Sequence, residues 1–154
     1  MRSPEITCRW ITRDTDDDQQ WLEMRREILR APLGLDFSAR DLLDERLDRQ
    51  LIARDEKSGD LVGGVMIRES SDGISWKVRQ MAVKPEHQGK GFGRALLEQL
   101  ERTAREEGIR ELHLHARDEA VPFYEKLGFV AEGPEFIEVT IPHRRLAKPL
   151  IPPP

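Results

Sequence analysis

A short glycine-rich stretch combines backbone freedom with side-chain donors. Residues 87–94 read HQGKGFGR, in which glutamine, lysine and arginine are interleaved with three glycines. Gly89, Gly91 and Gly93 let consecutive amides turn toward one ligand without a Cβ in the way. Strand-like residues precede the stretch and helix-like residues follow it, so the free N–H groups of a helix start would meet the same ligand. This pattern predicts binding of an anion, and its composition suits a diphosphate.

Two nucleotide-binding patterns do not fit this stretch. Lys90 is followed by Gly91 rather than by serine or threonine, and position 85 is proline, so an ATP-binding P-loop is disfavoured. Leu96 stands where a dinucleotide fingerprint would need its third glycine. Taken alone, the stretch is equally consistent with a phosphate loop and with a plain turn.

The bulk composition limits the classes of protein to consider. The chain has 154 residues, 38% hydrophobic and 35% charged, with a net charge of −4, which predicts one globular domain and no broad basic face for nucleic acid. Cys8 is the single cysteine, which fits a reducing compartment. The start of the chain has no apolar signal, and no apolar run approaches the roughly 20 residues that span a membrane. We therefore expect a cytoplasmic protein without a membrane partner.

Hydrophobic periodicity predicts a single α/β domain over residues 1–148, followed by a disordered proline-rich tail at 149–154. The predicted order is β-α-α-β-β-β-α-β-α-β-β. The predicted strands before the glycine-rich stretch cover residues 5–11, 50–54, 61–67 and 75–83, and those after it cover 111–116, the region after 128 and the region around 145.

Capping signals place the first two helices. Aspartates at 16–18 are expected to cap the first helix, and Pro32 with Gly34 is expected to end it. Ser38 and Asp41 form an approximate capping box at the start of the second helix. The three tryptophans are expected in the core: Trp10, Trp21 and Trp76.

Two motifs together resemble the GNAT superfamily of N-acetyltransferases. QGKGFG at 88–93 matches the family's acyl-CoA loop, [RQ]xxGx[GA], and a later pattern matches Ala120, Tyr124, Gly128 and Phe129. The ending EFIEVTIPHRRL is similar to a subgroup with an IPH motif. The resemblance implies a mixed, mostly antiparallel sheet that is splayed in the middle and flanked by about four helices.

The resemblance also implies an acetyl-CoA site. In the family, the loop amides hold the CoA pyrophosphate, and the free backbone of the preceding strand pairs with pantetheine. Arg117 stands where many members carry an asparagine that helps to bind CoA, so that contact would have to come from the arginine charge. The implied binding residues are Met81, Ala82, Val83, Gln88, Gly89, Lys90, Gly91, Phe92, Gly93, Arg94 and Arg117.

Tyr124 matches the family's general acid. The departing CoA thiolate resembles a cysteine thiolate, with a pKa near 8.5, whereas a phenol with a pKa near 10 stays protonated at pH 7 and can donate. An alkyl amine costs about 4.6 kcal/mol to deprotonate at pH 7, from a pKa near 10.4. The base that offsets this cost is unassigned, with four candidates: His115, His143, Glu138 and Glu27.

Other reactive side chains have plainer interpretations. Cys8 is expected to be a small buried hydrophobe rather than a nucleophile, which favours direct attack of the amine on the thioester. His113 and His115 share one strand face, but no cysteine or carboxylate set supports a metal, so none is expected. A basic helix face predicts either an acidic acceptor or a solvated surface, and it consists of Arg25, Arg26 and Arg30.

These residues predict an N-acetyltransferase that moves acetyl from acetyl-CoA to a primary amine on a small molecule or a peptide. Two alternatives stay open: transfer of another acyl group, and a CoA-binding sensor or interaction module without turnover. The acceptor and the oligomeric state are also open, with a homodimer among the alternatives.

Overall fold

A computed structural model describes residues 5–150 and arranges them as a mixed α/β fold. Seven strands and four α-helices of the described chain alternate in the predicted order. The strands are β1 (Ile6–Ile11), β2 (Arg49–Asp55), β3 (Leu61–Glu69), β4 (Ser75–Val83), β5 (Glu111–Arg117), β6 (Val130–Glu138) and β7 (Ile141–Pro149). The α-helices are α1 (Asp16–Arg25), α2 (Ala39–Asp44), α3 (Phe92–Glu106) and α4 (Val121–Lys126).

The strand pairing confirms the predicted fold class. β1 pairs with β2, β2 with β3, β5 with β7, and β6 with β7, all antiparallel. β4 and β5 form a parallel ladder that joins residues 75–78 to residues 111–114 and ends there. Residues 79–83 of β4 lie beyond the end of this ladder, as the predicted splay requires.

The chain divides into two compact units, and each is described by itself. The first unit contains residues 5–68 and 80–100, and the second contains residues 69–79 and 101–150. No helix of the described chain is both long and apolar enough to cross a membrane.

In the first unit, α1 has a different N-cap from the predicted one, whereas its helical turns end at Gly34 as predicted. Thr15, not an aspartate, is the N-cap: its hydroxyl accepts from Asp18 N at 3.2 Å, while the aspartates occupy the first turn. A π-helical turn (Arg26–Arg30) and a 3-10 turn (Ala31–Leu33) extend the helix to Gly34, whose φ of 70° ends it. The Ser38–Asp41 capping box of α2 is present as predicted.

The core of the first unit forms between α1 and the strands. Trp21 and Met24 pack with Ile52, Met66 and other apolar residues of β2, β3 and β4. A Cβ at Gly64 would lie 2.8–2.9 Å from the Trp21 ring, so only glycine lets the indole lie this close to β3. Trp21 is therefore core, as predicted, whereas Trp10 and Cys8 are only half-buried.

In the second unit, β5 alternates between two environments. Leu112, Leu114 and Ala116 are buried, whereas His113, His115 and Arg117 lie on the other, half-exposed face. The predicted tail overlaps the fold, since β7 reaches Pro149 and the buried Leu150 donates its N–H to Arg110 O at 2.7 Å. The rest of that predicted tail, 151–154, lies outside the described residues.

Candidate functional site

The glycine-rich stretch forms the turn that leads into α3. A short 3-10 turn (Pro85–His87) follows β4, and residues 88–91 then reverse the chain. Gly89 and Gly91 have φ values of 78° and 94°, which residues with a side chain rarely adopt. Gly93 lies in the first turn of α3, so the helix, rather than a left-handed conformation, sets its geometry.

The loop presents a run of open backbone donors. The first helical bond runs from Ala95 N to Gly91 O at 3.0 Å. No hydrogen bond within the described chain uses the N–H groups of residues 89–94. A Cβ added at Gly89 or Gly91 would meet no atom within 4 Å, so the space beside both glycines is open. Open donors at a helix start are the features that bind an anion.

Two side chains hold the loop in place. The Phe92 ring is 1% exposed and meets His87 edge to face, with ring centroids 5.5 Å apart, so Phe92 can offer a ligand only its backbone. Gln88 Nε2 donates to Val83 O at 3.1 Å, which ties the loop to the end of β4. One of the two amide N–H groups of Gln88 is thereby used by the protein.

The two cations of the loop differ in their surroundings. Lys90 is exposed and forms no ion pair with any of residues 5–150. Arg94 Nε lies 2.8 Å from Glu98 Oε1 on the outside of α3. Lys90 is therefore the cation of this loop whose charge the described chain leaves uncompensated.

A buried polar network, which the sequence did not reveal, lies where β4 passes the end of its parallel ladder. Gln80 has a φ of 50°, and its Oε1 accepts from Arg25 Nη1 at 2.8 Å. Gln80 Nε2 donates to Glu45 Oε1 at 3.0 Å, and Arg25 Nη1 lies 2.9 Å from the same oxygen. Arg25 and Glu45 are 1% and 3% exposed, and Arg25 Nε has no partner in the described chain. Burial lowers the pKa of Arg25, and the Glu45 carboxylate opposes that shift.

This network corrects the predicted basic face. Arg25 lies inside the first unit, Arg26 pairs with Asp36 at 2.7 Å, and Arg30 stacks over the Phe37 ring at 4.6 Å. Helical spacing could have predicted the burial of Arg25, because Arg25 follows Trp21 by four residues on the buried side of α1.

Three of the predicted CoA-binding residues follow Gln80 directly. Ala82 is buried in the first-unit core, and Met81 and Val83 are half-buried. A Cβ at Gly63 of β3 would lie 2.8 Å from Ala82 O, so glycine permits the close approach of the two strands here.

Tyr124 lies in α4 of the second unit. Its side chain is buried between Phe123 and Phe129, with ring centroids at 5.1 and 5.6 Å. The hydroxyl makes no hydrogen bond to any residue that the structure describes. Burial raises the pKa of Tyr124 above the ordinary phenol value, so the hydroxyl stays protonated at neutral pH.

The second unit brings together three of the four base candidates. His115 Nδ1 lies 2.9 Å from Glu138 Oε1, and His143 Nε2 lies 3.9 Å from Glu138 Oε2. Arg117 ends β5 and stands opposite His143 in the β5–β7 register. The fourth candidate, Glu27, is an exposed residue of the first unit. Within residues 5–150, no group of three or more His, Cys, Asp or Glu side chains could hold a metal ion.

His113 has a different environment from that of His115. Its Nε2 lies 3.4 Å from Ser70 Oγ, and its Nδ1 lies 3.0 Å from Arg145 Nη1. Burial lowers the pKa of His113, and the nearby charge of Arg145 lowers it further. Both ring nitrogens of His113 are thus used by the fold.

Comparison with protein-family models identifies the family of this chain. Residues 24–150 match the family model described as an acetyltransferase (GNAT) domain. The chain belongs to the GNAT acetyltransferase family. The resemblance drawn from the loop and tyrosine motifs is thereby confirmed.

GNAT proteins of known sequence or structure agree with this assignment. The uncharacterized N-acetyltransferase YjcF of Bacillus subtilis (strain 168) is 34% identical over 73 residues, 47% of this chain and 52% of that protein. The chain spans about half the length of the curated relatives that it matches, 52%, 51% and 52% for three of them.

Two solved GNAT structures have the same fold. A GNAT-family acetyltransferase from Staphylococcus aureus Mu50 has a TM-score of 0.77 at 18% identity, covering 96% of this chain and 100% of that one. An aminoglycoside 6'-N-acetyltransferase complexed with coenzyme A has a TM-score of 0.74 at 18% identity, covering 96% and 99%. At these identities the likeness concerns the fold alone.

Proposed function

We propose that this GNAT protein is an acyl-CoA-dependent N-acetyltransferase that moves acetyl from acetyl-CoA to a primary amine by direct attack. The observation that carries the proposal is the run of N–H groups at residues 89–94 that no described residue uses. Folded proteins leave few backbone donors without a partner unless solvent or a ligand takes them. Six adjacent open donors beside unfilled space at Gly89 and Gly91 fit the oxygens of the CoA diphosphate.

The remaining CoA contacts follow from the same loop and from β4. Lys90 supplies a cation whose charge is not compensated by an ion pair, and Gln88 retains one free amide N–H. The backbone of Met81, Ala82 and Val83 pairs with pantetheine, since residues 79–83 lie beyond the parallel ladder. Arg94 and Arg117 contribute positive charge rather than a required hydrogen bond.

Tyr124 serves as the general acid. The amine nitrogen attacks the thioester carbonyl, a C–N bond forms, and the C–S bond breaks. The Tyr124 hydroxyl, which no described residue uses, donates its proton to the sulfur as the bond breaks. A covalent acyl-enzyme is not needed, and Cys8 has no role in this scheme.

The acceptor in this scheme is a primary amine. Small amines, amino acids, aminoglycosides and peptide amines are the classes to compare. An alkyl amine needs a proton acceptor to become nucleophilic at neutral pH.

Calorimetric titration with acetyl-CoA tests the binding half of the proposal, with ATP and NAD as controls. We expect saturable binding of acetyl-CoA alone. CoA release is then measured with spermidine, glutamate, kanamycin and a lysine-containing peptide as acceptors. Binding with release supports the transferase, and a thermal-shift panel of acyl-CoAs identifies the acyl group. Binding without release from any acceptor supports the sensor alternative, and absence of binding overturns both.

A further inference from the structure

We propose that His115, oriented by Glu138, accepts the proton that the acceptor amine loses during attack. The inference deepens the proposed function and rests on it. It assigns the base that the sequence left unassigned among four residues.

The hydrogen bond between the two side chains settles which ring nitrogen is open. His115 Nδ1 lies 2.9 Å from Glu138 Oε1, and an ionised carboxylate can only accept, so Nδ1 carries the hydrogen. The neutral ring then has a lone pair on Nε2. No residue of the described chain bonds to Nε2 of His115. The side chain is 24% exposed, so a ligand can reach it without displacing the core.

The other histidines of the second unit make contacts within the protein that occupy their ring nitrogens or bury the ring. His113 uses both nitrogens, toward Ser70 and Arg145. His143 donates from Nδ1 to Ile141 O at 2.9 Å, and its side chain is only 6% exposed. His115 is thus the one histidine of this unit that combines a carboxylate on Nδ1 with an open Nε2.

The hairpin that carries Glu138 has a strained backbone in its turn. Glu138 and Ile141 are paired across the β6–β7 hairpin, and the two residues between them, Val139 and Thr140, have φ values of 50° and 66°. Branched side chains rarely occur in this conformation, and such strain persists where surrounding contacts over-determine the geometry. The His143–Ile141 bond closes the same turn, and Phe136 lies against both imidazoles, with centroids 4.8 Å from His115 and 6.2 Å from His143.

His115 also lies on the strand that leads to two residues of the proposed reaction. It shares the half-exposed face of β5 with Arg117, about 7 Å along the strand at two residues' rise. α4, with Tyr124, follows β5 after one 3-10 turn in the same unit. His115, Arg117 and Tyr124 thus lie within nine positions of one another along the chain in the second unit.

The proton balance of the step is complete. The neutral amine nitrogen bonds to the thioester carbon, and its surplus proton passes to His115 Nε2. Glu138 stays ionised and stabilises the imidazolium that forms. The C–S bond breaks, and the sulfur takes the Tyr124 proton. Solvent then carries the proton from His115 back to Tyr124, so one proton has moved from nitrogen to sulfur.

The decisive variants are His115→Asn and its matched control His113→Asn, which alter neighbouring histidines on one face of β5. The asparagine amide at 115 can keep the bond to Glu138 but cannot accept the proton. We expect kcat of His115→Asn to fall about 10²- to 10⁴-fold with the best acceptor of the panel, with unchanged acetyl-CoA affinity. We expect His113→Asn to keep kcat within a few-fold.

A pH profile separates a base from a structural residue. We expect the acid limb of kcat/KM to disappear in His115→Asn and to persist in His113→Asn. Charged and titratable groups on the strands around His115 include Glu138 of β6, His143 and Arg145 of β7, His113 and Arg117 of β5, and Lys77 of β4, which stands opposite His113. Glu138→Gln, which keeps an acceptor for Nδ1–H, should lower kcat less than His115→Asn, without raising the KM for acetyl-CoA.

The outcomes distinguish the inference from the proposed function. A wild type that releases no CoA overturns the function and the inference together. A wild type that turns over while His115→Asn keeps its rate and its acid limb overturns the inference alone. An equal loss in His113→Asn would show that both histidines act through the fold, which also overturns it.

Discussion

Arg25 Nη1 lies 2.8 Å from Gln80 Oε1, and this contact joins α1 to the left-handed residue of β4. The same guanidinium nitrogen lies 2.9 Å from Glu45 Oε1, so a buried ion pair holds the Gln80 side chain. Gln80 immediately precedes the backbone that we propose for pantetheine. The network therefore links α1 and Glu45 to β4 directly before the proposed pantetheine-binding backbone.

Glu45→Gln tests how much this network contributes to stability. Removing one charge leaves Arg25 buried without a counter-ion, which typically costs about 3–5 kcal/mol. We expect a free energy of unfolding lower by that amount in urea denaturation. The control is Asp14→Asn, which removes an exposed ion pair with Arg46 while keeping a residue that tolerates the φ of 61° at that position. We expect no measurable change in the control, and equal effects would contradict this account of the network.

Gly89→Ala tests the loop as a cradle. Gly89 has a φ of 78° and open space beside it, and Gly59, in the turn between β2 and β3, has a φ of 76° and the same open space. A left-handed alanine costs about 1–2 kcal/mol at either position. We therefore expect similar losses of stability, but an acetyl-CoA affinity at least tenfold weaker only for Gly89→Ala. Calorimetry that found equal affinities for the two variants would contradict the loop assignment.

Tyr124→Phe separates the hydroxyl's chemistry from its packing. The hydroxyl bonds to no described residue, so we expect stability at pH 7 to stay within about 1 kcal/mol. CoA release should fall about 10²- to 10⁴-fold, the usual contribution of a general acid. The rate of CoA release with the best acceptor measures this effect. If Tyr124→Phe keeps the wild-type rate, Tyr124 is not the general acid.

Tyr124→Phe should also change how the free energy of unfolding depends on pH under alkaline conditions. Burial raises the pKa of Tyr124 in the folded state, so above about pH 10 the folded chain binds more protons than the unfolded chain. Stability that is fully present below pH 10 is then lost as pH rises, with a slope of up to about 1.4 kcal/mol per pH unit. We expect wild type to lose stability faster than Tyr124→Phe above that pH in urea titrations. Parallel curves would indicate an exposed phenol.

Gly64→Ala tests the packing of α1 on β3. The added Cβ would lie 2.8–2.9 Å from the Trp21 ring, so we expect a loss of about 1–3 kcal/mol from overpacking. In a Trp21→Phe background the smaller ring leaves room, and the same change should cost less. Thermal denaturation of the four proteins of this cycle measures the coupling. Additive effects would show that the two residues are not in this contact.

Local signals in the sequence predicted much of the fold. The order of elements, the Ser38–Asp41 capping box and the turn before α3 all depend on neighbouring residues, so periodicity and turn chemistry reveal them. The first helix was less predictable, because Thr15 rather than an aspartate caps it and α1 gives way to a π-helical turn at Arg26. The choice among cap residues depends on which hydroxyl or carboxylate meets the free N–H groups, and several neighbours could do so.

In the candidate site, too, local motifs were predictable from the sequence and long-range contacts were not. The loop and Tyr124 belong to contiguous motifs that resemble those of the GNAT family, and an acetyl-CoA reaction is what that resemblance implies. The contacts of Arg25 with Gln80, and of His115 with Glu138, join residues 55 and 23 positions apart. By itself, the sequence determined the elements, the family motifs and a set of candidate bases. Only the tertiary structure decided which partners Arg25 meets inside the first unit and which histidine keeps an open nitrogen, because those properties depend on residues that folding brings together from distant parts of the chain.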